Sequence, residues 1–436
     1  MRVKNSINSS MRTPLISNKK TESNKNTLFT FGNSQNNISN PNTETRVRAN
    51  NLCSIANISY RKAPRIAKTQ FTFGNANQEI AGKIARIIGQ HRTPHSKVPC
   101  SKLECPDCST AIQDTILPFI EKDETIQMTL AAFPFKASSK NKCISENPDM
   151  AEVISLKFLN SIMTDIKKDY NPAAKLTIFN DGLMFTPIVV NPTDRQTLKY
   201  VKNIKGIIHY VGADENIEIK TIADFYPDIR KGREDILDKY PHSISDIKQK
   251  ALDPNNAEVD IEYYQGSKRF AQEKIAALED YELEEMIIDR FQHQADDPKG
   301  IQYHSYIKTI QMSPDRKLPK NQKDKLAGDI ACDSIRRSKA WGMFINTQQP
   351  GALRLSCHPQ PCGSSKVGIY LTKEHKNWGT PWHLTAVDIG NGEFILAKRA
   401  EAEKLGFEMI HPHYKLPDNI PEEEKQKKIA AISTKK

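Results

Sequence analysis

From residue 78 onward the apolar positions recur at regular intervals, and each interval points to an element. Ile80, Ile84, Ile87 and Ile88 repeat at the three-to-four spacing of one helix face, and Ile112, Ile116, Phe119 and Ile120 do so again. A largely apolar run from near Ile126 reads as a strand and ends in Ala131-Ala132-Phe133-Pro134-Phe135-Lys136. Between Pro148 and Tyr170, residues Met150, Val153, Ile154, Leu156, Leu159 and Ile162 predict an amphipathic helix with Pro148 in its first turn. Lys175 to Phe179 is a second strand, closed by Asn180-Asp181-Gly182. Strand, helix, strand is a βαβ unit. Ligands of open α/β sheets bind beyond the carboxyl ends of strands, where Lys136 and Asp181 fall.

Downstream, residues 192–211 read as a helix and the approach to a strand. Residues 224–330 are rich in charge, with helical stretches such as Ala271 to Phe291. A helix from Leu326 to Phe344 leads into an apolar segment at Arg354. Ile369, Leu371, Leu384, Ala386, Val387, Phe394 and Leu396 then mark a run of strands. The expected fold class is α/β: a Rossmann-like central sheet flanked by helices, a C-terminal group of antiparallel strands, and a disordered N-terminal tail.

Composition alters this picture mainly at the ends. Residues 1–80 hold fifteen asparagines, twelve Lys+Arg and three Asp+Glu, so they carry +9 of the chain's net +11. Such a segment buries too little apolar surface to offset its chain entropy. The expected organisation is a disordered basic tail over 1–77, a folded domain over 78–412 and a charged tail over 413–436. The remaining +2 makes nucleic acid an unexpected partner for the folded part. Phe29-Thr30-Phe31-Gly32-Asn33 recurs as Phe71-Thr72-Phe73-Gly74-Asn75, a pair too sparse for a repeat architecture. No run of eighteen apolar residues predicts a membrane span. No secretory apolar core opens the chain, and cytoplasm is the expected location. Of eight cysteines, Cys100, Cys105 and Cys108 with His95 have the composition of a structural zinc site, and Cys105-Pro-Asp-Cys108 has its internal spacing.

Candidate chemistry gathers late in the chain. Arg354-Leu355-Ser356-Cys357-His358-Pro359 and Thr380-Pro381-Trp382-His383 lie within thirty residues, on segments that read as neighbouring strands joined by a hairpin-like connection. Arginine offers a permanent fork for carboxylate or phosphate, and histidine moves protons near neutrality. Together they suit a small anionic substrate undergoing proton transfer; the competing reading is a structural histidine pair. Glu152, in a helix first turn, could face a ligand or favour the helix dipole. Lys268 and Arg269 follow Gly266-Ser267, where a glycine-led turn could expose backbone N–H groups to an anion.

The motifs FPFK (133–136), PDMAE (148–152), DG (181–182), RLSCHP (354–359) and TPWH (380–383), in this order, resemble the isocyanide (isonitrile) synthases, the family of the pyoverdine and dityrosine biosynthesis proteins. The resemblance runs from about Ile80 to about Ile410. Cys357 departs from the aliphatic residue usual there, and Asn180 from a frequent serine.

That resemblance implies an enzyme joining the amine of tyrosine or tryptophan to ribulose 5-phosphate as co-substrate, with no organic cofactor and no catalytic metal. The C2 carbon of the sugar becomes the isonitrile carbon. It implies His358 and His383 as acid/base groups, Asp181 as their orienting or sugar-binding partner, and Lys136 and Arg354 as anion binders. Lys136 could instead form a Schiff base. Glu152, Lys268 and Arg269 complete the candidate substrate-binding set. A downstream iron/2-oxoglutarate-dependent oxygenase is the implied pathway partner. Synthesis of an N-formyl-tyrosine precursor, and a non-catalytic host-interaction protein on the same fold, are the alternatives.

Overall fold

Alternation within the short strands decides the architecture. In this computed structural model, which describes residues 76–93, 105–189, 192–253, 261–294, 297, 299–373 and 379–434, the even positions of Ile126–Ala131 (β1) are Ile, Met and Leu, all fully buried. The odd positions are Gln127, Thr129 and Ala131. Ala174–Phe179 (β2), Ile217–Lys220 (β3), Leu353–Ser356 (β4) and Lys366–Gly368 (β5) keep the same division. These strands form one parallel sheet in the order β3-β2-β1-β4-β5.

The apolar face packs on helices Ala76–Gln90 (α1), Pro106–Glu121 (α2), Met150–Asp169 (α3) and, after the single turn Gly182–Phe185 (α4), Asp194–Tyr210 (α5). The other face carries a polar row, because Glu218, Thr177, Thr129, Arg354 and Lys366 stand opposite one another in the strand register. It lies towards Lys320–Gln348 (α11), whose Trp341 and Phe344 pack on Phe179. Ile229–Lys239 (α6) joins the same cluster. Ile244–Leu252 (α7), Ile261–Ala276 (α8), Asp280–Gln294 (α9) and Tyr303–Met312 (α10) form a helical layer against α11.

The chain runs outward from β1 to β3, then returns across the sheet to β4 on the far side of β1. That reversal is a topological switch point, the usual ligand position in such sheets. The expected βαβ unit is present as β1-α3-β2. Asp149 caps α3 through the Ala151 N–H, and Glu152 returns a bond to the Asp149 N–H, so PDMAE is a capping box.

Two expectations need correction, and a third needs detail. The segments carrying His358 and His383 are not paired strands: β4 sits in the parallel sheet, and Pro381–His383 is a single 3-10 turn with Pro381 at its start. The later strands carry the expected antiparallel pairs, and one parallel pair joins them into a mixed sheet. Thr385–Gly390 (β6) pairs antiparallel with Glu393–Ala397 (β7), and Glu408–Ile410 (β8) with His413–Lys415 (β9), while β6 and β9 run parallel. Residues 413–436 are therefore not only a charged tail. They supply β9 and Glu422–Thr434 (α13), and Tyr414 and Ile432 are buried with Ala402 of Arg399–Lys404 (α12). Helix order already begins at Ala76; the rest of the expected N-terminal tail, both FTFGN copies, His95 and Cys100 lie outside the described residues.

Candidate active site

Two loops leave the carboxyl ends of β1 and β2 and lock together. Asn180 is fully buried; its Nδ2 donates to the Phe133 and Pro134 carbonyls, and its Oδ1 accepts from the Gly182 N–H at 3.0 Å. A side chain at 182 cannot be accommodated, since a Cβ there would lie 1.9 Å from the Pro134 carbonyl oxygen. Phe133 is held at φ +55°, a left-handed conformation costly for a bulky residue. Asn180 on its carbonyl and Trp382 against its ring (5.2 Å between centroids) keep it there.

Lys136 follows that turn and is wholly buried. Its Nζ lies 2.7 Å from Asp149 Oδ2 and 3.0 Å from Glu152 Oε2. Burial opposes its charge, but the two carboxylates outweigh burial and hold the ammonium above the ordinary lysine range. Tyr200 donates to the other Glu152 oxygen at 3.2 Å. Burial pushes the Glu152 carboxyl up to about 7 in spite of Lys136, because Asp149 already carries charge beside it. Lys136 and Glu152 are thus committed to each other, which corrects the expectation that either is an open anion or ligand contact.

A second group of side chains lies beyond the strand ends. Asp181 precedes α4 without capping it, and its Oδ1 is buried with no hydrogen-bond partner among the described residues. Burial raises its carboxyl to about 7, while its own backbone N–H, His358 and Lys366 pull the other way. His358 stacks obliquely on Tyr263 at 5.3 Å. Tyr263 is half-buried, with its hydroxyl bonded to Ser338 and Ser267.

His383 keeps access to solvent while protein crowds it. Burial, followed by the charges of Lys142, His358 and Lys136, depresses its imidazole well below the usual range. Its Nδ1 meets Thr380 Oγ1 at 3.2 Å. The two histidines are therefore close enough for the charge of His358 to act on His383, despite the missing hairpin.

Arg354 reaches towards α11, where its Nη1 donates to the Gly342 carbonyl at 2.9 Å and to Asn346. Lys366 stands opposite it in the register. Neither forms an ion pair with a carboxylate among the described residues. Burial lowers the pKa of both, and in Lys366 the neighbouring Arg354 adds to the effect.

Sequence reasoning missed Lys366, Tyr263 and Lys142. Lys142 lies 4.5 Å over the Phe270 ring, and Phe270 in turn faces His383. Lys268 and Arg269 do not join this group. Gly266-Ser267 is interior to α8, so its N–H groups belong to the helix; Lys268 is paired with Asp324 at 2.9 Å and Arg269 is exposed.

The arrangement can hold an anion at Arg354 and Lys366 and move protons at Asp181, His358 and His383. The family model described as "Pyoverdine/dityrosine biosynthesis protein" matches residues 116–410. The chain is 30% identical over 353 residues to the L-tryptophan isonitrile synthase AmbI2 of Fischerella ambigua, covering 79% of this chain and 94% of that one. It is 30% identical over 312 residues to an L-tyrosine isonitrile synthase of Pseudomonas aeruginosa, covering 69% and 83%. The crystal structure of PvcA from Pseudomonas aeruginosa superposes with a TM-score of 0.60 at 27% identity, over 78% of this chain and all of that one. No helix among the described residues is long and apolar enough to cross a membrane.

Proposed function

Because this chain belongs to the pyoverdine/dityrosine biosynthesis family, we propose that it is an isocyanide synthase: it converts the amino group of an aromatic L-amino acid to an isonitrile, with ribulose 5-phosphate as carbon donor. The observation that carries this reading is the pair Arg354 and Lys366, two cations in no ion pair among the described residues, near the Asp181, His358 and His383 group. A dianionic phosphate fits that pair, each charge-assisted hydrogen bond contributing about 1.5–3 kcal/mol. Lys142 is placed to meet the amino-acid carboxylate, with Phe270 and Tyr263 as apolar walls for an aromatic side chain.

Condensation needs a neutral amine. A histidine held neutral, as His383 is, can take the ammonium proton while Thr380 fixes its Nδ1. The nitrogen then bonds to the ketone carbon, the carbonyl oxygen is protonated, and water leaves. Asp181, with its carboxyl near 7, can both give and receive protons at neutral pH. His358 and Lys366 are the cationic groups that act on it. Release of phosphate and sugar fragments follows, needing further proton transfers to leaving oxygens.

The test is incubation of the purified protein with tyrosine or tryptophan and ribulose 5-phosphate labelled at C2, followed by mass spectrometry. An isonitrile carrying the label is the expected product. Consumption of neither amino acid, or an isonitrile without label, would overturn the substrate pair.

A further inference from the structure

Three thiols from distant parts of the chain converge outside the catalytic group. Cys105 is the residue before α2, with Pro106 opening the helix, and Cys108 stands in its first turn. Cys362 lies in residues 357–365, the connection between β4 and β5. Its Sγ is 2.9 Å from Cys105 Sγ and 3.6 Å from Cys108 Sγ, and the three sulfurs fall within 4.8 Å of one another. We propose that Cys105, Cys108 and Cys362 bind a structural zinc ion, which fastens the connection carrying His358 to the start of α2.

Chemistry and geometry agree on this. As thiols the three sulfurs share S–H···S contacts centred on Cys362; as thiolates so close together they would need a cation among them. Thiolates on a tetrahedral zinc, with bonds of about 2.3 Å, stand about 3.8 Å apart, near the Cys108–Cys362 separation. A structural zinc takes four ligands, and a Cys-x-x-Cys pair on one element with a cysteine from a remote loop would supply three of them. Soft thiolate ligands favour zinc over magnesium or calcium. The surroundings are those of a ligand sulfur: the Gly363 N–H points at Cys108 Sγ at 3.4 Å, and Gly363 makes that turn at φ +72°.

The consequence is positional. Parallel strands are normally joined through a crossover helix, but β4 and β5 are joined only by residues 357–365. That connection carries His358 and ends at Lys366. Arg92, Cys108, Gln360 and Lys366 line one recess, so the thiol cluster borders Lys366 directly. A metal here would hold both groups in place without taking part in the chemistry.

The full-length protein, purified without chelator or an immobilised-metal column, should contain about one zinc per chain by elemental mass spectrometry. Cobalt(II) in its place should give the near-ultraviolet thiolate-to-metal charge-transfer band and the visible bands of tetrahedral cobalt. Cys105→Ser and Cys362→Ser should each lower metal content at least tenfold. Should those variants fail to fold, cobalt titration of the wild-type protein decides the matter. A wild-type protein free of zinc and without the charge-transfer band overturns the proposal. So does a Cys105–Cys362 disulfide in the freshly purified protein, seen as a mass lower by two hydrogens.

Discussion

Lys136 and the Arg354–Lys366 pair are two basic centres on the same sheet, and they differ in what surrounds them. Lys136 is sealed from water between Asp149 and Glu152, which answer its charge completely. Arg354 and Lys366 are half-buried and repel one another; among the described residues Arg354 donates to a carbonyl and an amide side chain, and Lys366 is helped by Cys357 and Asp181 without forming an ion pair. A buried charge with its counter-charges already built in is part of the scaffold. A buried charge left without them, at a topological switch point, is set for an anion from outside. Sequence alone ranked Lys136 and Arg354 together as cations; the structure separates them by their partners.

The sharpest way to break this comparison is Lys136→Met. It would leave Asp149 and Glu152 buried without a cation, a loss of about 3–5 kcal/mol by analogy with broken buried pairs. We expect a large fall in the denaturation midpoint, or failure to fold, with Arg354→Met close to wild type in the same assay. A Lys136→Met protein of normal stability that has lost turnover would reverse the assignment and make Lys136 a substrate contact.

The second expectation concerns the pair itself. Arg354→Met and Lys366→Met should each raise KM for ribulose 5-phosphate by about tenfold or more, one lost charge-assisted bond being worth about 1.5–3 kcal/mol. Neither should destabilise the free protein, because each relieves a like-charge repulsion. Arg354→Lys keeps the charge but loses the two-pronged geometry, and should recover only part of the loss. Phosphate should raise the melting temperature of the wild type and not of the double variant. An unchanged KM in both single variants would remove the pair from substrate binding.

Some of this was legible in the residues and some was not, for reasons of distance. The βαβ unit could be read because its signals are local: short apolar strand runs, an apolar helix face at three-to-four spacing, and Pro148 in the first turn, where the Asp149-x-x-Glu152 box closes the helix start. The same box shows why Lys136 was misjudged, since only the placement of α3 brings Glu152 onto its ammonium. Lys366 gains meaning from the β4–β5 register, which no local pattern encodes. Cys362 lies 257 positions from Cys105 and was not grouped with it. Gly266 suggested a turn, but α8 tolerates it: the cost of a helical glycine, about 1 kcal/mol, is offset where Tyr263, Tyr264 and Phe270 pack beside α11.

The smallest expected effect sharpens the same contrast through a carboxylate. Asp181 lies between the two centres in character: one oxygen is buried without a partner among the described residues, while His358 and Lys366 only partly offset its burial. Its carboxyl ionises near 7 when folded and near 3.9 when unfolded. Between those values the folded chain binds more protons than the unfolded one, so stability falls as pH rises from about 4 to about 7. Asp181→Asn removes that penalty. The variant should match the wild type at pH 4 and exceed it at pH 8 by about 1–2 kcal/mol, a figure reduced from the full shift for partial contact with solvent. Its kcat profile should also lose the limb centred near pH 7. Equal denaturation midpoints for variant and wild type at both pH values would mean that the folded protein already neutralises Asp181, and that the uncompensated region ends at Arg354 and Lys366.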